Sequence, residues 1–244
     1  MKRKKKKANV LFVIVKWILL LHLVVFGTSF LWIFAYKYIN PQNTSLMLYR
    51  KYYQRVDNKP VIFVPLSQIR APLKRVLIKL EDPSFKSHHG IDLDAMAMAY
   101  KINKRYKKTL VGGSTLTQQL ARTLFLVPNK NYVRKYMELI LALQMELLLS
   151  KNRIMELYFN YVEFGKGVYG IGQASKHYFK RDISRLDTEQ LTQLLIILPS
   201  PIKYSPKDIP RKSFFRKRYR ILSNDPNLNR YVDPQEEQEQ EEIR

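Results

Sequence analysis

The hydrophobic pattern of the chain begins with one unbroken apolar run. From Trp17 to Tyr36 the sequence "WILLLHLVVFGTSFLWIFAY" carries no charge, and about 20 residues is the length of a helix that crosses a bilayer's hydrocarbon core. Trp17, Trp32 and Tyr36 stand at its ends as interfacial aromatics, and Lys16 can extend its ammonium to the headgroups. Residues 2 to 7 are all Lys or Arg, a charge bias that predicts a cytoplasmic N-terminus and places everything after residue 37 on the other side. A cleaved signal peptide is the rival reading, with "GTS" as a small-residue cleavage site. The apolar run continues past it as "FLWIFAY", which favours a retained single-pass anchor. His22 reads as a tolerated polar residue within the span.

Beyond the anchor the period changes. Residues 37–59 are polar, aromatic and basic, a juxtamembrane connector. "VIFVPL" (61–66) reads as extended or strand-like. Thereafter apolar residues recur at helical spacing. "APLKRVLIKLED" predicts a helix with Pro72 in its first turn, and Asp92 or Asp94 can cap "LDAMAMAYKINKR". Ser114 is the expected N-cap of "TLTQQLARTLFL", which Pro128 ends. "NYVRKYMELILALQMELLLS" is apolar nearly all round and predicts a buried central helix. "NRIMELYFNYVEF" and "TEQLTQLLIIL" read as helices as well. No internal repeat is visible. The chain thus divides into a basic N-terminus (1–16), an anchor (17–36), the connector (37–59), a mainly α domain (60–222) and an acidic tail (223–244) whose composition predicts disorder.

Composition adds charge to this picture. Of 244 residues 43 are basic and 20 acidic, a net charge of +23. The excess is not confined to the ends, since residues 17–230 hold 35 basic against 14 acidic residues. Such a surface attracts polyanions, whether nucleic acid, anionic headgroups or a phosphorylated substrate. Lys203 to Arg220 is either a headgroup-binding stretch or a solvated basic helix. The absence of cysteine excludes a disulfide framework, a thiolate metal site and a cysteine nucleophile.

Against that background the run "EDPSFKSHHGID" (81–92) stands out, because the first eighty residues contain a single acid, Asp57. His88, His89, Asp92 and Asp94 are competent metal ligands, but helical metal pairs prefer spacings of three or four. Asp82 and Asp92 can equally be a helix end and a helix cap. "GKGVYG" (165–170) spells the dinucleotide fingerprint, yet it follows a helical pattern rather than a strand, so these glycines and Gly172 read as a turn or close helix packing. "GGSTLTQQLARTLFL" (112–126) gathers N–H groups, hydroxyls and amides at a helix start, which suits an anion or a sugar.

Taken in order, "EDPSFKSHHGID", "GGSTLTQQLARTLFL", "RKYMELILALQMELLLSKNRIMELYFNYVEFGKGVYGIGQASKHYF" and "LLIILPSPIKYSP" resemble the motif series of the peptidoglycan glycosyltransferases that polymerise lipid II. The likeness covers roughly residues 60–222 and is strongest to the monofunctional, membrane-anchored biosynthetic transglycosylases, which lack a transpeptidase domain. It implies a mainly α, lysozyme-like fold with a small membrane-proximal lobe. It also implies formation of the β-1,4 bond between MurNAc and GlcNAc with release of undecaprenyl pyrophosphate.

Carried over by position, Glu81 is the general base for the acceptor's 4-hydroxyl, and Glu138 is the second glutamate, assigned to donor binding or transition-state support. Phe85 and His88 match positions that shape the cleft. Ser114, Thr117, Gln118 and Gln119 fall in the donor site. Lys130 and Arg134 fall where the family uses cations on the pyrophosphate, and Lys135 is not counted with them. Arg122 stands where the family usually has Lys, and Thr123 where it usually has Asn. Arg134 and Glu138 are four apart, hence on one helix face.

The expected partners are lipid II, the growing glycan strand, the inner membrane and a transpeptidase, not nucleic acid, with the domain periplasmic. No cofactor is expected to be required and no dedicated metal ligand set is visible. A divalent cation, Mg or Mn, is expected at most to stimulate departure of the pyrophosphate. A lysozyme-like hydrolase and a membrane-tethered nucleic-acid module are the readings from other classes. The first would lack the cationic pyrophosphate site, the second the buried glutamates.

Overall fold

The computed structural model describes residues 2–129, 131–211, 215 and 218, with side chains from residue 12 onward. The acidic tail, Lys130 and most of the basic stretch after Arg211 lie outside the described residues.

The first helix, α1 (Lys2–Ala35), contains a 24-residue segment, Phe12–Ala35, long and apolar enough to cross a membrane. Trp17 and Trp32 are exposed. Tyr36 is not. It lies just past the helix, is 9% exposed, and packs its ring 5.8 Å from that of Phe125. Arg153 draws it in, donating from Nε to the Tyr36 carbonyl at 2.8 Å and from Nη2 to the Ile39 carbonyl at 2.8 Å.

The expected connector is folded. Thr44 caps α2 (Ser45–Tyr53) by accepting from the Met47 N–H at 3.1 Å, and α2 packs against α5 (Leu116–Phe125). The extended segment at 61–66 forms no strand. Its Val64 backbone is satisfied by one buried side chain, because Asn160 accepts from Val64 N at 2.7 Å and donates to Val64 O at 2.9 Å.

α3 (Ala71–Glu81) has Pro72 in its first turn, as the sequence predicts. α4 (Leu93–Tyr106) is capped by Asp92, whose carboxylate accepts from Ala95 N at 2.8 Å. That hydrogen bond, then the one from Ser84, holds the Asp92 carboxyl below its ordinary pKa. The cap of α5 is Thr115 rather than Ser114. Thr115 and Gln118 form a reciprocal capping box, which leaves the Ser114 hydroxyl for another partner.

α6 (Tyr132–Leu148) departs from the expected buried helix. Glu138, Leu141, Ala142 and Met145 are buried, while Val133, Tyr136, Leu143 and Leu147 are exposed. The helix is apolar all round because it faces two apolar surroundings, the core on one side and α1 with its flanking surface on the other. Ser29 Oγ donates to Gln144 Oε1 at 2.8 Å, and Gln144 Nε2 donates to the Phe26 carbonyl at 3.1 Å, tying α1 to α6. The most enclosed helices are α5 and α7 (Lys151–Tyr161).

α7 ends at Tyr161, three residues before the expected helix does. Glu163–Gly165 (β1) pairs antiparallel with Val168–Tyr169 (β2), with Glu163 opposite Tyr169. The glycine cluster therefore lies in a hairpin and at a helix entry, in keeping with the turn read from the sequence. Gly170 precedes α8 (Ile171–Phe179) at φ +74°, and a Cβ there would run into the Asn160 carbonyl. Gly170→Ala is expected to cost at least about 2 kcal/mol from backbone strain and clash, measured as a lower urea midpoint at unchanged slope. α9 (Thr188–Ile196), capped by Asp187, packs on α3 and α8 and completes the core.

Candidate active site

Glu81 is the last residue of α3, which sets its carboxylate at the edge of the core. Oε1 accepts from Arg218 Nη2 at 2.5 Å and Oε2 from Gln119 Nε2 at 3.3 Å. Gln119 is held in turn by Tyr158, whose hydroxyl donates to its Oε1 at 2.9 Å. Burial first, and the Glu81 charge second, push the Tyr158 pKa well above its ordinary value, so this donor stays protonated.

The loop after Glu81 is fixed from inside. Asp82 is 4% exposed, and its Oδ2 accepts from Leu116 N at 2.8 Å and pairs with His88 Nε2 at 2.9 Å. The Gly90 N–H donates to His88 Nδ1 at 3.0 Å, which assigns the imidazole proton to Nε2. Phe85 is 1% exposed, with the Lys151 ammonium 4.6 Å from its ring centre. Asp82, Phe85 and His88 thus form the scaffold of the loop, and Asp82 joins that loop to the start of α5. His88 turns to Asp82 and Asp92 to its cap, so the histidine–aspartate run does not converge. Among the described residues no three His, Asp or Glu side chains group as metal ligands.

The second glutamate anchors a separate knot. Glu138 is 1% exposed and holds Arg134 Nη1 at 2.6 Å through Oε2 and Lys135 Nζ at 2.6 Å through Oε1. Lys135 also donates to Ser114 Oγ at 3.0 Å and Gln118 Oε1 at 3.3 Å. Ser114, Gln118, Arg134 and Glu138 therefore come together, and Lys135, not counted from the sequence, is the cation that links them. Its spacing of three from Glu138 was the available signal.

Thr117 is set apart from this group. It is fully buried and donates to Glu146 Oε1 at 2.5 Å, while Lys151 bridges Glu146 at 2.9 Å and the His88 carbonyl at 2.6 Å. Glu146 escaped the sequence reading, although a second acid eight residues after Glu138 in an apolar helix marks the same buried face.

Gln119, Arg122 and Arg134 share a pocket of about 270 Å³. Arg122 is exposed and makes no ion pair among the described residues, so a purely structural pairing of Arg122 is absent there. Thr123 Oγ1 turns back to the Gln119 carbonyl at 3.0 Å. Two residues that carried no sequence signal, Arg50 of α2 and Glu163 of β1, also line the pocket. Arg50 donates from Nε to Oε1 at 3.0 Å and from Nη2 to Oε2 at 2.8 Å of Glu163. The site thus offers one carboxylate at a core edge, joined through Gln119 to an open pocket rich in guanidinium groups. Such a pocket suits a phosphate-bearing substrate, and the carboxylate suits proton transfer.

Residues 49–225 match the family model described as Transglycosylase. Among curated proteins the chain is similar to the biosynthetic peptidoglycan transglycosylase of Burkholderia cenocepacia (strain HI2424), at 42% identity over 175 residues, 70% of each chain. It is 43% identical over 171 residues to the protein so named from Paraburkholderia xenovorans (strain LB400), covering 68% of this chain and 71% of that one. For Burkholderia multivorans (strain ATCC 17616 / 249) the figures are 40% over 176 residues, 70% and 72%.

Proposed function

The chain belongs to the transglycosylase family and is a peptidoglycan glycosyltransferase, and from that premise we propose that it polymerises lipid II with Glu81 as general base. Glu81 accepts the proton of the acceptor's GlcNAc 4-hydroxyl as that oxygen bonds to C1 of the donor's MurNAc. The bond from C1 to the pyrophosphate breaks in the same event, and undecaprenyl pyrophosphate departs. A carboxylate cannot hold a sugar hydroxyl's proton before the bond forms, since the pKa gap is too wide. The transfer therefore accompanies attack.

The observation that carries this reading is Gln119. Its amide touches Glu81 while its side chain lines the pocket of Arg122 and Arg134, so a base and a pyrophosphate-sized cationic site are one residue apart. Glu138 acts through the cations it orders, Arg134 and Lys135, which neutralise the leaving group's growing charge. α1 serves as a single-pass anchor in the inner membrane with residues 2–7 cytoplasmic. The catalytic domain then works at the outer face, where lipid-linked substrates and a transpeptidase partner meet it.

The test is polymerisation of fluorescent lipid II by the purified full-length protein, with chains resolved by length. Growth supports the reading, whereas cleavage of existing glycan with no growth would replace it by a hydrolase. In the same assay Arg122→Ala is expected to raise the KM for lipid II roughly tenfold, the weight of a lost charge-assisted contact. Arg122→Lys is expected to keep most of the activity, because charge matters before fork geometry. An alanine variant with unchanged lipid II kinetics would remove Arg122 from the anion site.

A further inference from the structure

The pocket that holds Arg122 and Arg134 also holds a carboxylate, Glu163. An acid in a cavity meant for a pyrophosphate is a liability, because it offers those guanidinium groups an internal competitor and repels the ligand. Arg50 covers that acid. Three of its contacts are fixed, two to Glu163 at 3.0 and 2.8 Å and one from Nη1 to Gln54 Oε1 at 2.5 Å. Arg50 is 8% and Glu163 6% exposed, so the pair is largely withdrawn from water yet borders the pocket. Tyr169, opposite Glu163 across the hairpin, is fully buried against it, and burial followed by the Glu163 charge pushes its pKa far up. Tyr169 is therefore neutral and adds no further negative charge.

We propose that Arg50 is a positioning residue that neutralises Glu163, so that the pocket presents the net positive charge of Arg122 and Arg134 to an anionic group of the donor. α2, which reads as a connector in the sequence, becomes by this route a working wall of the donor site. The inference rests on the pocket being that anion site.

The experiment measures KM and kcat for lipid II together with the melting temperature of Arg50→Met, Arg50→Lys, Glu163→Gln and the double variant Arg50→Met/Glu163→Gln. Arg50→Met uncovers the carboxylate and is expected to raise KM about tenfold, as one unscreened charge near a binding site does, with a smaller change in kcat. The double variant has no charge left at the pair and is expected to recover most of that KM loss. Arg50→Lys keeps the charge without the fork and is expected to recover KM while melting lower. Glu163→Gln alone leaves a bare guanidinium at the wall and is expected to lower KM. A merely structural pair predicts the opposite pattern, in which melting temperatures fall and KM does not follow the charge. If Arg50→Met does not fold, a raised KM in Glu163→Gln or in the folded double variant overturns the proposal. A folded Arg50→Met with wild-type KM overturns it too. Arg122→Ala on the same preparations separates the two readings. If it leaves KM unmoved, the anion site itself is wrong, whereas a raised KM there with none in Arg50→Met defeats this inference alone.

Discussion

Glu81→Gln is expected to yield a folded protein that no longer extends glycan chains. The amide keeps the size of the side chain and can still meet Gln119 and Arg218, the partners that hold Glu81 at 3.3 and 2.5 Å. What it loses is the capacity to accept a proton as the acceptor oxygen attacks. Removal of a positioned general base costs on the order of a hundredfold to ten-thousandfold in rate, and that loss should appear in kcat, because the base acts on the transition state. The side chain of Glu81 is only 10% exposed, so a change in melting temperature must be checked alongside. A variant that melts like the wild type and polymerises lipid II at near-normal rate would take Glu81 out of the mechanism.

Glu138→Gln should damage both stability and activity. Glu138 is 1% exposed and takes two cations, with Arg134 16% and Lys135 30% exposed at the side chain. Breaking a buried pair from one side leaves the other charge uncompensated, at roughly 3 to 5 kcal/mol. Both cations keep some solvent, so about 3 kcal/mol is expected here, or on the order of 6 to 12 °C in melting temperature for a domain this size. Chain growth should fall as well, because Arg134 leaves its place at the pocket and Lys135 releases Ser114 and Gln118. Calorimetry and polymerisation on one preparation decide the matter. Full stability with lost activity would mean that Glu138 meets the substrate directly and the knot is secondary.

Local chemistry explains which parts of the structure were legible beforehand. Pro72 and Asp92 announce their helices because capping and first-turn preferences are read within four residues. The motif pairs of α5 and α6 fall together because their spacing on one helix fixes their face. Thr115 won the cap over Ser114 since only it has Gln118 three residues on to complete the box, a signal that was present in the sequence. The outer face of α6 was misjudged because periodicity registers apolar character, not which of two apolar surroundings a residue meets. The hairpin at Glu163 was hidden for a different reason. "VEF" continues a helical pattern, and what stops the helix is a partner 113 residues away, Arg50, together with the close approach at Gly170. No window along the chain contains both ends of such a contact.

The attachment of α1 also has a mechanical side. Arg153 grips the end of the helix at Tyr36 and Ile39, and Ser29 with Gln144 grips it further down. A domain hung on a slack leader wanders through many heights and tilts, while one fastened at two points keeps a single elevation. For the proposed anchor, substrates carried in the same sheet then approach along two dimensions only, with their reacting sugars already level with the pocket. The helix also resists being drawn deeper or pushed out, since either displacement drags α6, whose opposite, core-facing side carries Glu138. Bilayer thickness, which sets where a span of fixed length comes to rest, would in this way become a dial on the working height of the enzyme.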